Sequence, residues 1–172
     1  HKKLSEYIIP QQISMVALQR VLQGLLKEGI PIRDLGSILE AISEISAQSP
    51  GVSELVEHVR YRMSRQISAI YTSSKGYIPI VVLSPNWEQM FIEHIIGEGE
   101  NKQLALPPSK LKEFVVSVNQ VFKNIANMST DITPVILTSP SIRSFVYSVM
   151  ERFKANIMVI SQNEIHPRAT IK

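Results

Sequence analysis

The sequence contains no cysteine among its 172 residues, which excludes disulfides, iron–sulfur clusters and thiolate zinc sites. It also lacks a long apolar run: the longest, Ile78–Leu83, has the length of a strand, whereas a membrane helix needs about 18–20 apolar residues. No segment has the pattern of a secretory signal. The chain has 44% hydrophobic and 19% charged residues, and this composition, together with these absences, is typical of a folded cytoplasmic domain.

Clustered cations and paired histidines are missing as well. The net charge of +3 is spread along the chain, and no basic run is longer than Lys2-Lys3. A nucleic-acid-binding surface needs grouped cations, so we expect no nucleic-acid partner. The four histidines include no i,i+4 pair and no H-E-x-x-H motif, so we expect no metal site.

Glycine is scarce, with seven in the chain, and the Gly97-x-Gly99 pair ends a predicted helix instead of opening one. A phosphate-binding turn needs its glycines at a helix N-terminus, so no cofactor is expected. Ser84 and Ser139 each follow an apolar run and precede a proline, which favours helix capping over a nucleophile elbow. The sequence therefore predicts no catalytic residue and no enzyme.

Composition and breaker residues divide the chain into three segments. Residues 1–12 are predicted to be the tail of a preceding subdomain, with a helix over Lys3–Ile9 that stops at Pro10. Because this helix has no cap, we expect residue 1 to lie inside a larger protein. Residues 13–70 are predicted to be a helical subdomain and residues 71–172 an α/β subdomain.

The helical segment is predicted to contain three helices. Ser14 caps the first, which Gly29 closes; Asp34 caps the second and Ser53 the third. The spacing of the third helix predicts Val59, Met63 and Ile67 on its inner face and Glu57, Arg60, Arg62 and Arg65 on its outer face.

After residue 70, β-branched runs alternate with helical patterns. The runs Pro79–Pro85 and Pro134–Pro140 share a frame of apolar residues followed by Ser-Pro. They lack polar alternation, as expected of parallel strands covered on both faces. Three strands are predicted, over Ile78–Ser84, Thr133–Ser139 and Ile157–Ser161. Two shorter strands are also expected: the first arm of a hairpin over Ile70–Ser73 and an edge strand over Ala169–Ile171. Helices are predicted over 85–97, Ser109–Asn127 and Pro140–Lys154. The fold class is α+β or α/β: a three-helix subdomain followed by a small, mostly parallel sheet.

Two places are candidate protein-interaction sites. Ile30, Ile32 and Arg33 are expected to project from a rigid connector between the first two helices, with Asp34 beside them. The same residues also suit a helix cap with a local salt bridge, and both interpretations stay open. Trp87, the only tryptophan, is expected to be partly in the core or to face a partner.

The connector also resembles a known signature. The segment Leu25–Leu35 followed by Ile38-Leu39-Glu40 is similar to the LLxExxxIRDLxxILE motif of the FHIPEP family. Further ordered matches lie at Glu57–Arg60, Arg65–Ile67, Leu137–Arg143 and Val159–Ile165. Trp87-Glu88-Gln89 and the Ser161–Arg168 ending most resemble the alphaproteobacterial flagellar members.

The resemblance implies a role in protein export. Family members have a membrane-spanning N-terminal part and a cytoplasmic domain of four subdomains, which forms a ring under the export gate and receives substrates and chaperones. The chain would be the end of the first subdomain, the helical third and the α/β fourth. Ile30, Ile32, Arg33 and Asp34 then become candidates for contacts between subunits, although Gly29-Ile30-Pro31 departs from the usual motif.

Two functions remain open at this point. The first is a non-catalytic platform of the type III export apparatus at the cytoplasmic face of the bacterial inner membrane. Its partners would be other apparatus proteins and chaperone–substrate complexes, and it would reach the membrane only through a preceding part of the protein. The alternative is a regulatory α/β domain that binds a small molecule or nucleotide at the carboxyl ends of its strands.

Overall fold

Helices make up most of the first part of the chain because apolar residues recur there at helical spacing. In a computed structural model, which describes residues 2–9 and 11–172, two compact units can be distinguished. The first comprises residues up to Ile67 together with Glu98–Asn101, and the second comprises Ser68–Gly97 and Lys102–Lys172. His1 and the predicted stop at Pro10 lie outside the described residues.

The helices of this part are α1 Lys2–Ile8, α2 Met15–Lys27, α3 Leu35–Ile45, α4 Val52–Arg62 and α5 Ser64–Tyr71. The α2 and α3 helices both pack against α4, and α1 packs against α3. Their inner faces form the core of the first unit, which includes Val21, Leu25, Ile38, Leu39, Ile42 and Val59.

Two predicted caps are confirmed and the third is wrong. Ser14 and Asp34 cap α2 and α3 through bonds from the amides of Ala17 and Ser37. The third helix starts after Gly51 instead of Ser53.

The predicted third helix is in fact two, α4 and α5, which separate at Met63. No proline or glycine marks this break, and the four-residue apolar spacing continues through it, so the pattern predicted one helix. The α5 helix also continues to Tyr71, so the predicted strand arm over Ile70–Ser73 is wrong. A tight turn does follow, in which the Gly76 amide donates to the Ser73 carbonyl.

The second unit contains the predicted small parallel sheet. Its strands are β1 Ile80–Val82, β4 Val135–Thr138 and β5 Val159–Ser161, in the order β1-β4-β5, with both pairs parallel. Helices α6 Pro85–Glu93, α7 Pro108–Met128 and α8 Arg143–Arg152 accompany the strands. Their core includes Phe91, Phe114, Ile136, Val146 and Met150.

Several boundaries in this unit differ from the prediction. The α6 helix ends at Glu93, and a short antiparallel hairpin follows, with β2 Ile95–Ile96 paired to β3 Gln103–Leu104. The α8 helix begins at Arg143 and not at Pro140, because a turn follows β4. Near the C-terminus, the predicted edge is a single parallel bridge between Ile171 and Ile78.

Candidate interaction surface

The connector between α2 and α3 begins with a Schellman motif. Gly29 has φ of 74°, a left-handed conformation that glycine adopts without strain. Its amide donates to the Leu26 carbonyl at 3.0 Å, and the Ile30 amide donates to the Leu25 carbonyl at 2.9 Å. This pattern ends the helix and turns the chain sharply.

Ile30 does not project from the connector as the sequence predicted. Its side chain is 0% exposed, as is that of Leu25, the hydrophobic partner that the motif provides. A partner protein therefore cannot contact Ile30 in this conformation, and its role is to anchor the connector to the core.

Asp34 acts as the N-cap of α3. Its Oδ1 accepts from the Ser37 amide at 3.2 Å, and its Oδ2 accepts from the Ser37 hydroxyl at 2.6 Å. The Ser37 hydroxyl first, and then the Ser37 amide, lower the pKa of the Asp34 carboxyl below its usual value. Asp34 is exposed but is already engaged by its own helix.

Ile32 and Arg33 are accessible to solvent, as are the neighbouring Pro31 and Asp34. Ile32 is half-buried and Arg33 is exposed, between the buried Ile30 and the cap at Asp34. The fixed backbone on both sides presents one apolar and one cationic side chain at the surface of the first unit.

A buried pair in the same unit was missed by the sequence prediction. Arg60, predicted to face outward, is only 1% exposed, and Glu28, at the C-terminus of α2, is 7% exposed. Arg60 Nη1 lies 3.7 Å from Glu28 Oε1. Arg60 lies on the same inward face of α4 as Val56, Val59 and Met63, and this spacing could have predicted its burial. Because Arg60 is charged, it was assigned to the outer face instead.

Trp87 lies in the first turn of α6, where its amide donates to the Ser84 hydroxyl at 3.3 Å. Its ring packs edge-on against Phe114, with centroids 5.1 Å apart, and is half-buried beside the core of the second unit. This placement gives Trp87 a packing role and leaves part of its ring accessible.

The carboxyl edge of the sheet brings Ser84 and Ser139 to the ends of neighbouring parallel strands, β1 and β4. Glu88 of α6 binds the second of these serines: its Oε1 accepts from the Ser139 amide at 3.1 Å and its Oε2 accepts from the Ser139 hydroxyl at 2.7 Å. A carboxylate of the chain itself therefore occupies the place where an open α/β sheet commonly receives an anionic ligand.

At the end of the neighbouring strand β5, a glutamate of the chain likewise accepts from a serine amide. Ser161, the last residue of β5, and Glu164 form a capping box, in which Glu164 Oε1 accepts from the Ser161 amide at 2.8 Å. Arg143, 0% exposed, donates to the Val159 carbonyl at 3.1 Å. Arg143 and Glu164 were not singled out from the sequence, although both fall within its motif matches.

The described residues contain neither a cluster of metal ligands nor a helix suited to a membrane. Within residues 2–9 and 11–172, no three histidine, aspartate or glutamate side chains are grouped so as to hold a metal ion. Over the same residues, no helix combines the length and the apolar character needed to cross a bilayer.

Comparison with known proteins gives a consistent result. The model of the FHIPEP family matches residues 1–170. Flagellar biosynthesis protein FlhA of Caulobacter vibrioides is 46% identical over 171 residues, which are 99% of this chain and 24% of that protein. The chain therefore spans about a quarter of this curated relative.

Solved structures agree in fold. The Chlamydia pneumoniae CdsV protein, in a structure of its complex with CdsO, matches 99% of this chain and 47% of that chain, with a TM-score of 0.84 and 27% identity. The nonameric SctV-C of EPEC matches 99% of this chain and 50% of that chain, with a TM-score of 0.86; at 23% identity this likeness concerns the fold alone. The family match over almost every residue, together with these likenesses, shows that the chain belongs to the FHIPEP family.

Proposed function

We propose that this chain is part of the cytoplasmic platform of a flagellar type III protein-export apparatus, and that it acts by binding proteins and catalyses no reaction. The platform lies at the cytoplasmic face of the bacterial inner membrane and reaches the membrane through a preceding part of the protein. The observation that carries the proposal is the family match over residues 1–170, supported by 46% identity to flagellar biosynthesis protein FlhA of Caulobacter vibrioides.

The arrangement of polar groups favours this function over the alternative. A nucleotide or metabolite site at the carboxyl edge of the sheet would need free donors there. The amide and hydroxyl of Ser139 instead donate to Glu88, and the Ser161 amide donates to Glu164. These carboxylates disfavour an anionic ligand at this edge through like-charge repulsion.

The proposed partners are other apparatus proteins and chaperone–substrate complexes, together with further copies of the full-length protein in a ring. The complex of CdsV with CdsO supports the first kind of partner, since that protein is 27% identical to this chain. Ring formation is supported by the nonameric SctV-C, which is built from chains with the same fold.

Within this platform we assign residues 13–70 to the helical subdomain, residues 71–172 to the α/β subdomain, and residues 1–12 to the end of the preceding one. Ile32 and Arg33 are the proposed contact residues of the connector, because both are accessible and Ile30 and Asp34 hold them in place. Trp87 is a second, partly accessible candidate.

A chimera tests the proposed function. The matching segment of Caulobacter vibrioides FlhA is replaced by this chain in a strain that lacks its own copy, and motility and secretion of flagellar subunits are measured. Restored swimming and secretion are expected. A chimera that accumulates to normal levels in the membrane but secretes no subunits would contradict the proposal.

A further inference from the structure

We propose that a cleft in the second unit, at the amino ends of the parallel strands, binds a lysine or arginine side chain of a partner protein. The cleft has a volume of about 330 Å³ and lies at the opposite edge of the sheet from Ser84 and Ser139. That the occupant belongs to a protein rests on the proposed export function; the preference for a cation rests on the cleft itself.

The fold builds the cleft from several segments. Pro79 precedes β1, Val135 begins β4 and Met158 precedes β5, so one side of the cleft is the amino edge of the sheet. Tyr71, the last residue of α5, and Phe122 of α7 add two aromatic rings. Residues far apart in sequence thus converge on one concave surface.

The charge of the lining favours a cation. Asp131, which is exposed, is the one charged side chain among the described residues that line the cleft. Two hydroxyls of the lining already donate hydrogen bonds within the chain: Thr72 donates to a carbonyl of α5 at 2.7 Å, and Ser73 donates to the Tyr77 carbonyl at 2.8 Å. The cleft therefore offers a carboxylate acceptor and no cation to compete with a positively charged ligand.

The apolar lining favours a cation carried on an aliphatic stem. Lysine and arginine can lay their methylene groups along apolar surface and place the charged end near a carboxylate or an aromatic ring. Ile70, 44% exposed at the cleft, adds apolar surface for the stem. The volume is at the low end of the range for ligand pockets, about 300–1,000 Å³, which suits one side chain better than a nucleotide.

Peptide titrations followed by amide NMR spectra of the isotope-labelled 172-residue chain test the proposal. The probes are three capped tripeptides with leucine on both sides of a central lysine, norleucine or glutamate. The lysine peptide is expected to cause saturable shift changes confined to the amides around Tyr71, Asp131 and Met158. The norleucine peptide should bind about threefold or more weakly, since it lacks the charge, and the glutamate peptide should not bind there.

Variants identify the groups responsible. Asp131→Asn is expected to reduce lysine-peptide binding to the level of the norleucine peptide. The control Glu93→Gln removes one negative charge from the same unit outside the cleft and should leave binding unchanged. Phe122→Leu, which keeps an apolar side chain in place, should weaken the lysine peptide more than the norleucine peptide.

Shift changes that are absent at the highest peptide concentration, that spread over the whole chain, or that are equal for all three peptides would each overturn the proposal. Unchanged lysine-peptide binding by Asp131→Asn would overturn it as well. The titration uses the isolated chain and the chimera is assayed in cells, so failure of the cleft proposal is distinguishable from failure of the export proposal.

Discussion

Ile30 and Arg33 lie three positions apart in one connector, yet one is fully buried and the other is exposed. The left-handed turn at Gly29 brings the Ile30 amide back to the Leu25 carbonyl at the end of α2, and the Ile30 side chain is buried there. Arg33 lies beyond this turn, beside the exposed cap residue Asp34.

Because the connector residues differ in burial, truncating their side chains to alanine should lower the free energy of unfolding by different amounts. Ile30→Ala should lower the free energy of unfolding by about 2–5 kcal/mol, because it opens a cavity in the core of the first unit. Ile32→Ala, at a half-buried site, should cost clearly less, about 1 kcal/mol. Urea unfolding followed by far-UV circular dichroism measures both, and equal costs would contradict the assigned burial.

Asp34 should make the stability of α3 depend on pH. The pKa of its carboxyl in the folded state lies below the ordinary value of 3.8, so the ionised group stabilises the fold above that pH. The contribution is lost as the pH falls below 3.8 through the folded-state pKa.

We expect Asp34→Ala to cost about 1 kcal/mol at neutral pH, and Asp34→Asn to cost less because asparagine also caps helices well. The difference between wild type and Asp34→Asn should shrink in acid. Calorimetric melting temperatures at neutral and acidic pH test this, and a difference that grows in acid would be the contrary result.

At the scale of elements, α4 has an unusual N-terminus. Gly51 provides no side-chain cap, and Glu100 supplies one instead, because its Oε1 accepts from the Ser53 amide at 2.9 Å. A Cβ at position 51 would overlap the Glu100 carboxylate, so the cap requires glycine there. Ser53 was predicted to cap this helix, because a cap supplied by a residue 47 positions away leaves no local pattern.

A double-mutant cycle tests this cap. Glu100→Ala should cost about 1 kcal/mol by removing the cap, and Gly51→Ala should cost at least as much by displacing it. The double variant should cost less than the sum of the two, because both changes disrupt one interaction. Hydrogen exchange of the first α4 amides measures the loss of the cap locally. Strictly additive losses of unfolding free energy in the double variant would show that the two residues act separately.

Glu88 is expected to stabilise the second unit through its two bonds to Ser139. Glu88→Ala should cost about 1–3 kcal/mol, because the Ser139 amide and hydroxyl lose their acceptor. Glu93→Gln, at the exposed end of the same helix, is the matched control and should change stability by less than about 0.5 kcal/mol. Differential scanning calorimetry compares them; similar melting temperatures for the two variants would argue against this role.

Longer elements were predictable and the shortest were not. The α7 helix begins at Pro108, and the β4 strand lies between Pro134 and Pro140. Both carry uninterrupted apolar patterns, and the structure differs from the prediction by only one or two residues at each end. The hairpin of β2 and β3 has two residues on each strand, too few to establish a periodicity. Its formation depends on pairing across a loop, which local sequence does not specify.

For the whole molecule, the export function was inferred from a motif resemblance and not from any reactive site. Residue patterns indicated which kinds of reactive site the chain does not encode and which residues lie at its surface, but such patterns do not identify a binding partner. The Asp131 cleft illustrates this limit, because its lining residues range from position 70 to 158 and meet only in the fold.

The proposed contact role of the connector is tested in the assembled apparatus. In the chimera, Arg33→Glu should reduce motility severalfold without changing the melting temperature of the isolated chain, since Arg33 is exposed. Arg65→Glu, another exposed cation of the first unit, serves as the control of equal charge change and should swim normally. Normal swimming of the Arg33→Glu chimera would remove the connector from the proposed contact surface.

Trp87 has a practical consequence. As the sole indole in the chain, with its ring against Phe114 in the second unit, it makes tryptophan emission a reporter of that unit. The first unit contributes no tryptophan emission, whereas far-ultraviolet dichroism reports the helices of both units. A dichroism midpoint that differs from the emission midpoint in one denaturation series would therefore show that the two units unfold separately, without any labelling.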